Sequence, residues 1–161
     1  MGFASHLGPW RLGTVKDTTG TTAGTISNMG CTIVAQSKAI TKSTTSAVTA
    51  AVLPAGAQII NIYVDVTEAF NAATGNTITV AKGATTLATV GGASTTPIAV
   101  GRATVTAAGT ATWVNVGATD AILTVVFANT GTAATTGAAT VTIEYVVRNS
   151  DGAQAPTSQQ V

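Results

Sequence analysis

The chain contains short runs in which apolar and polar residues alternate, and this period of two limits the fold more than any other feature. Two runs show it most clearly, with apolar positions at Ile60, Ile62, Val64 and Val66 in the first and at Val141, Ile143, Tyr145 and Val147 in the second. Successive side chains of a β-strand point to opposite faces. Each run therefore predicts a strand that buries one face.

Turn-forming residues separate several runs of this kind. The predicted strands are residues 31–40, 46–53, 58–67, 76–82, 85–90, 98–106, 110–116, 121–128 and 139–148. Residues such as Pro54, Gly56 and Gly131 supply the turn conformations between them. No segment makes a convincing helix. Short strands at this spacing predict an all-β sandwich or barrel.

The 161 residues fit one domain with an extension at each end. We expect an extended N-terminal arm at residues 1–30, a β-sandwich domain at residues 31–148 and a short flexible C-terminal tail at residues 149–161. The arm has too many apolar residues for a solvated tail, and their spacing is too irregular for an amphipathic helix. It is predicted to dock on its own sandwich or on a neighbouring subunit through Phe3, Leu7, Trp10, Leu12, Val15 and Ile26.

Charge is scarce and evenly spread along the chain. Charged residues make up 8% of the sequence, and seven Lys and Arg face six Asp and Glu without forming a cluster. Nucleic acids and membrane surfaces bind clustered cations, so neither is expected as a partner. The first ten residues lack a signal-peptide pattern, and no window is long enough for a membrane span. Synthesis in the cytoplasm without export is therefore expected.

Residues with catalytic chemistry do not occur together. His6 is the single histidine and lies in the predicted arm, where a mobile segment would have to supply the base. Cys31 is the single cysteine, which excludes an intramolecular disulfide and favours a buried structural role over a nucleophile. No Gly-rich phosphate loop is present. The sequence predicts no enzyme activity and no cofactor.

Two further groups allow a binding role beside a structural one. Asp65, Glu68 and Asn71 could together hold a calcium ion, although a solvated strand end explains the same residues and calcium sites usually gather more carboxylates. Trp113 with Tyr63 or Tyr145 could form a platform that stacks on sugars. In an aromatic-poor chain such rings more often serve as packing anchors.

Three segments resemble known proteins. Residues 53–71, which read LPAGA, an alternating strand and then TEAFN, resemble a phrase in virion structural proteins of tailed bacteriophages. Residues 137–147 (GAATVTIEYVV) resemble the closing strand of those proteins. Residues 7–29 are similar to the openings of small structural proteins of marine podoviruses.

The resemblance implies a jelly-roll subunit of a phage head or tail, commonly a capsid decoration or fibre-base protein that forms trimers. Its implied partners are copies of itself and other virion proteins such as the major capsid protein. The implied location is the capsid surface of the virion, after synthesis in the host cytoplasm. The alternative is a receptor-binding or fibre-knob domain that contacts host surface glycans near Trp113.

Overall fold

The computed structural model describes residues 33–95 and 97–147. The strands in this part of the chain are β1 Ile33–Thr41, β2 Val48–Leu53, β3 Gln58–Glu68, β4 Gly75–Lys82, β5 Thr85–Gly92, β6 Gly101–Arg102, β7 Val105–Ala107, β8 Ala121–Thr130 and β9 Ala138–Val146. One short helix, α1 Thr110–Val114, precedes β8. None of the described helical residues forms a segment that is long and apolar enough to cross a membrane. The predicted arm and tail lie outside the described residues.

Two antiparallel sheets pack face to face, and the predicted all-β sandwich is confirmed. The four-stranded sheet has the order β1-β9-β3-β6, and the five-stranded sheet has the order β2-β8-β4-β5-β7. The pairs β1–β9, β2–β8, β3–β6 and β4–β5 nest inside one another along the chain. Neighbours in each sheet therefore come from distant parts of the sequence, apart from the β4–β5 hairpin.

The core between the sheets is mainly aliphatic. Ile62 and Val64 of β3 in one sheet and Leu123 and Val125 of β8 in the other belong to this core, and all four are buried. Large rings are few, as the sequence indicates. Burial of apolar area is the main stabilising contribution, and small side chains supply less of it per residue.

The chain between β5 and β8 departs from the strand prediction. Residues 98–106 were expected to form one strand, but they contribute β6 to one sheet and β7 to the other. Residues 110–116 were expected to be a strand and instead include α1. Gly109 explains the start of the helix, because its φ of 56° turns the chain out of the extended direction. The β-favouring residues of α1 thus follow their tertiary setting rather than their propensity.

The face assignment in β3 needs one correction. Ile60 was expected on the buried face, but a β-bulge between Ile59 and Asn61 leaves it 42% exposed and buries Ile59 instead. The Asn61 side-chain Oδ1 accepts the backbone N–H of Ile62 at 2.9 Å, which satisfies a donor beside the bulge. From Ile62 onward the alternation follows the predicted pattern. An extra residue in one strand shifts every side chain before it to the other face.

Candidate functional site

The carboxylates considered for calcium are each engaged elsewhere. The Arg102 guanidinium donates two hydrogen bonds to the Asp65 carboxylate, at 2.8 and 2.9 Å. Glu68 accepts a backbone N–H that precedes β9, and the Asn71 side-chain oxygen accepts the backbone N–H of Thr135. The described residues hold no group of three or more His, Cys, Asp or Glu side chains that could bind a metal. The side-chain oxygens of Asp65, Glu68 and Asn71 therefore accept hydrogen bonds from within the domain.

The rings considered for sugar stacking lie in three different settings. Trp113 is half-buried against the core, and its Nε1 donates to a β5 backbone carbonyl at 3.1 Å. Tyr145 is buried, and its hydroxyl accepts a hydrogen bond from Gln36. Tyr63 lies under the Arg102 guanidinium, 4.2 Å from the ring centroid to Cζ. Each ring is thus used in packing or hydrogen bonding within the domain.

Arg102, Asp65 and Tyr63 form the main charged group on the outer face of the four-stranded sheet. Hydrogen bonding from Arg102 holds the pKa of the Asp65 carboxyl below its usual value. The pair is exposed, so solvent weakens its contribution to stability. Nothing in this group pairs an acid with a base that could transfer protons to a substrate.

One open pocket of about 280 Å³ lies between the end of β5 and the loop that leads to β6. Arg102 is the charged residue among those that line it, and its guanidinium already binds Asp65. The other lining residues are Val90, Gly91, Thr95, Pro97, Ile98, Ala99, Val100, Ala103 and Thr104. This lining offers neither a nucleophile with an adjacent base nor a set of metal ligands.

The outer face of the five-stranded sheet is broad and uncharged; we call it the threonine face. Its outward positions alternate with the buried residues of β4, β5 and β8. They include Thr49, Val52, Thr77, Thr79, Ala81, Thr86, Thr89, Thr106, Ile122, Thr124, Val126 and Ala128. Among the described residues no charged side chain lies on this face.

Threonines on the threonine face line up across neighbouring strands. Val126 of β8 pairs with Thr79 of β4, Thr79 with Thr89 of β5, and Thr89 with Thr106 of β7. Side chains at directly opposed positions contact one another, and β-branched residues pack well on a pleated surface. The result is a regular row of methyl and hydroxyl groups that a neighbouring surface can contact without displacing counterions.

The two ends of the sandwich differ. β1 and β3 both begin beside the end of β9, because Ile33 and Gln58 each pair with Val146. β2 ends beside the start of β8, where Leu53 pairs with Ala121. We call this the exit end, since the described chain begins and finishes there, and the opposite end the turn end.

Large apolar side chains are exposed around the exit end. Ile33 is 57% exposed and pairs with Val146, which is itself buried. Ile60 and Val147 are exposed nearby, on the side of the four-stranded sheet. The cross-strand pair Val52 and Ile122 lies at the same end of the five-stranded sheet, and Val114 of α1 lies close to the start of β3. Of the large exposed apolar residues in the described chain, Val100 alone lies elsewhere, next to β6. Because these exposed apolar residues are grouped at one end of the domain, that end is a candidate contact surface.

The six assembly contacts predicted from the sequence lie outside the described residues. They are Phe3, Leu7, Trp10, Leu12, Val15 and Ile26. The structure brings together a different set, the exit-end residues. Sequence reasoning named Ile60 and Val147 among them, but as residues of a buried strand face, and both are exposed. Val52 and Ile122 look like ordinary strand residues along the chain, and only strand register reveals that they are opposed on an outer face. A bulge, which leaves no sequence signal here, exposes Ile60.

No protein-family model matches the chain, and no curated protein matches it in sequence. Among solved structures, a chain in the acidic stable capsid of Helicobacter pylori bacteriophage KHP30 is similar, with 11% identity, a TM-score of 0.47, and coverage of 71% of this chain and 87% of that chain. A chain of the cyanophage Pam1 capsid asymmetric unit has 20% identity, a TM-score of 0.43, and coverage of 73% and 85%. Both TM-scores lie below 0.5, so neither likeness assigns a function to this chain.

Proposed function

We propose that this chain is a non-enzymatic virion structural protein, a capsid decoration or accessory head protein that binds a phage particle and stabilises it. The threonine face is the observation that carries the proposal. It offers a wide, regular, uncharged contact surface, whereas the pocket beside β6 is lined by neither a nucleophile with an adjacent base nor a set of metal ligands. The buried cores of protein interfaces are depleted of charged residues, and direct hydrogen bonds accompany their apolar contacts.

The topology supports a jelly-roll assignment. Four nested strand pairs that wrap into two facing sheets are the arrangement of a jelly roll, an architecture common in viral capsid proteins. The sequence resemblance of residues 53–71 and 137–147 to tailed-phage virion proteins points the same way. A homo-oligomer, with a trimer favoured by that resemblance, and the major capsid protein are the proposed partners. The capsid surface of the virion is the proposed location.

The threonine face can be tested by placing charge on it. In the double variant Thr79→Lys/Thr89→Lys, two neighbouring positions of the row become cations that must be desolvated on contact. Particle binding, measured by co-sedimentation, is expected to weaken at least about tenfold, which corresponds to about 1.4 kcal/mol. The matched control is Thr140→Lys on the outer face of the other sheet, which should bind like wild type. Equal binding by both variants would contradict the proposal.

Salt provides a second measure of the same contact. Binding through an uncharged face should change little between low and moderate ionic strength, because few ion pairs are screened. A steep loss of co-sedimentation over that range would count against the proposed contact.

A glycan array on the isolated protein addresses the fibre-knob alternative, and specific binding that is lost in Trp113→Ala would favour that alternative.

Removing residues 1–30 tests the arm. The core lies within the described residues, so the truncated chain is expected to keep its strand-rich circular dichroism spectrum. Without the six apolar contact candidates it is expected not to assemble on particles. Normal decoration by the truncated chain would show that the arm has another role.

A further inference from the structure

The exposed apolar residues of the exit end lie around the end of the sandwich rather than on one flat face. Ile33, Ile60 and Val147 belong to the side of the four-stranded sheet, whereas Val52 and Ile122 belong to the threonine face. A rigid globular surface would contact one of these sides at a time. An extended segment can contact both in turn, because it follows the curve of the domain end.

Residues 1–32 join the domain at this end, since β1 begins at Ile33. Five of their apolar residues fall within residues 3–15 and are separated from Ile33 by residues 16–32. A fully extended span of that length reaches at most about 60 Å. The longest strand, β3, has 11 residues and is about 36 Å long at the usual rise per residue. A span of this length is therefore long enough for residues 3–15 to reach the exit end of a neighbouring copy.

We propose that the exit end binds residues 3–15 of a second copy of this chain, so that copies assemble by exchanging their N-terminal arms. The inference rests on the assembly role proposed above and names the partner and the surface. Phe3, Leu7, Trp10, Leu12 and Val15 bury their side chains against the six exposed exit-end residues. The stretch from Trp10 to Thr32 contains no proline, so its backbone can donate to a neighbouring strand edge.

Charge does not oppose this contact. The charged residues around the exit end are of both signs: the Asp120 carboxylate accepts the backbone N–H of Ala55, Glu144 pairs with Asn61 beside Ile60, and Arg148 follows Val147 in the sequence. Residues 3–15 carry a single guanidinium, that of Arg11, which lies between two apolar contacts. Binding is therefore expected to come from apolar burial, and a cation introduced among the exit-end residues should weaken it.

Photocrosslinking of the full chain tests the exchange. A benzoylphenylalanine replaces Trp10, and equal amounts of ordinary and heavy-isotope protein are mixed in denaturant, refolded together without particles, and irradiated. We expect crosslinked peptides that join light and heavy chains and that map to the exit end, including the peptide that contains Ile122. Crosslinks confined to single chains would place the arm on its own domain, and crosslinks to another surface or none at all would also overturn the proposal.

Variants add a matched comparison. Ile122→Lys should lower the yield of light–heavy crosslinks at least about tenfold, the change expected from the loss of one buried apolar side chain. Val147→Lys provides a second variant if Ile122→Lys does not fold. The control is Val100→Lys, at an exposed valine away from the exit end, which should crosslink like the parent chain. Unchanged yield in both exit-end variants would overturn the assignment.

The outcome separates this inference from the proposed function. Arm exchange in solution without particle binding would remove the virion role and leave the exchange standing. Particle binding by a protein that shows no light–heavy crosslinks would keep the virion role and remove the arm exchange.

Discussion

The turn end and the exit end of the sandwich are completed in different ways. At the turn end the chain supplies its own cover: Phe70 stacks against Phe127 with ring centroids 4.6 Å apart, and the buried Asn76 side chain bonds three backbone groups. At the exit end the described chain leaves aliphatic side chains such as Ile33 and Ile122 exposed. The turn end is closed by its own side chains, whereas the exit end exposes aliphatic side chains of the kind found at interfaces.

The contrast shows how a chain with few rings and few charges distributes them. Two of its three phenylalanines contact each other near the turn end, where Gly137 allows their close packing because a Cβ there would overlap the Phe70 ring. Exposed apolar area at the exit end makes the isolated domain less stable, and its burial against a partner stabilises the complex. Substitutions should therefore affect stability at the turn end and assembly at the exit end.

The largest expected effect is the loss of a turn-end ring. Phe70→Ala removes a fully buried side chain and its contact with Phe127, and should lower the free energy of unfolding by about 3–5 kcal/mol. Ile60→Ala at the exit end, where the side chain is half-exposed, should change it by less than about 1 kcal/mol. Urea denaturation of both variants measures the difference. Similar midpoints would remove the distinction between the two ends.

The buried asparagine should give the next largest effect. Asn76 accepts the Ala72 backbone N–H at 3.0 Å and donates to the carbonyls of Ala72 and Thr95. Asn76→Ala leaves these groups without their partner and should cost about 2–3 kcal/mol. The control is Asn71→Ala, because water can replace that exposed side chain's bonds. Equal unfolding free energies for the two variants would show that Asn76 is not required for the turn end.

Much of the fold can be predicted from the sequence because strand patterning is local. The predicted strands at residues 58–67, 76–82 and 85–90 lie within β3, β4 and β5, whose alternation and turns are written in adjacent residues. The path of residues 98–116 is set by distant contacts instead: β6 pairs with Asp65 and Val66, and Trp113 is held by a β5 carbonyl. Local propensity cannot report such contacts, so α1 was missed.

The contact surfaces were less accessible to sequence reasoning than the strands. A period of two tells that one face of a strand is buried, but it does not tell which strand is its neighbour. The row through Thr79, Thr89 and Thr106 exists only once the register is known. The exposure of Ile60 likewise depends on a bulge. The composition predicts a surface with few charges, but only the sheet topology shows which face of the sandwich lacks them.

A smaller effect is expected where the two sheets meet near the exit end. Gln36 of β1 binds both the N–H and the C=O of Val52 on β2, at 3.0 and 2.8 Å, and also donates to the Tyr145 hydroxyl. Gln36→Ala should cost about 1 kcal/mol, because the Val52 groups are near solvent and water replaces part of the loss. Lys38→Ala, at an exposed position of the same strand, serves as the control. An equal shift in the urea midpoint for both would assign no role to the bridge.

The smallest expected effect concerns Asp65 and Arg102, which belong to neither end. Because Arg102 lowers the Asp65 pKa in the folded state, the folded chain releases this proton more readily than the unfolded chain. The stabilisation is therefore present above the ordinary carboxyl pKa and is lost as pH falls through the lowered value. An NMR titration of the Asp65 carboxyl carbon should give a midpoint below the ordinary aspartate value, and Arg102→Gln should raise that midpoint. High salt should reduce the shift, since the pair is exposed. A midpoint that does not respond to Arg102→Gln would show that the hydrogen bonds are not kept in solution.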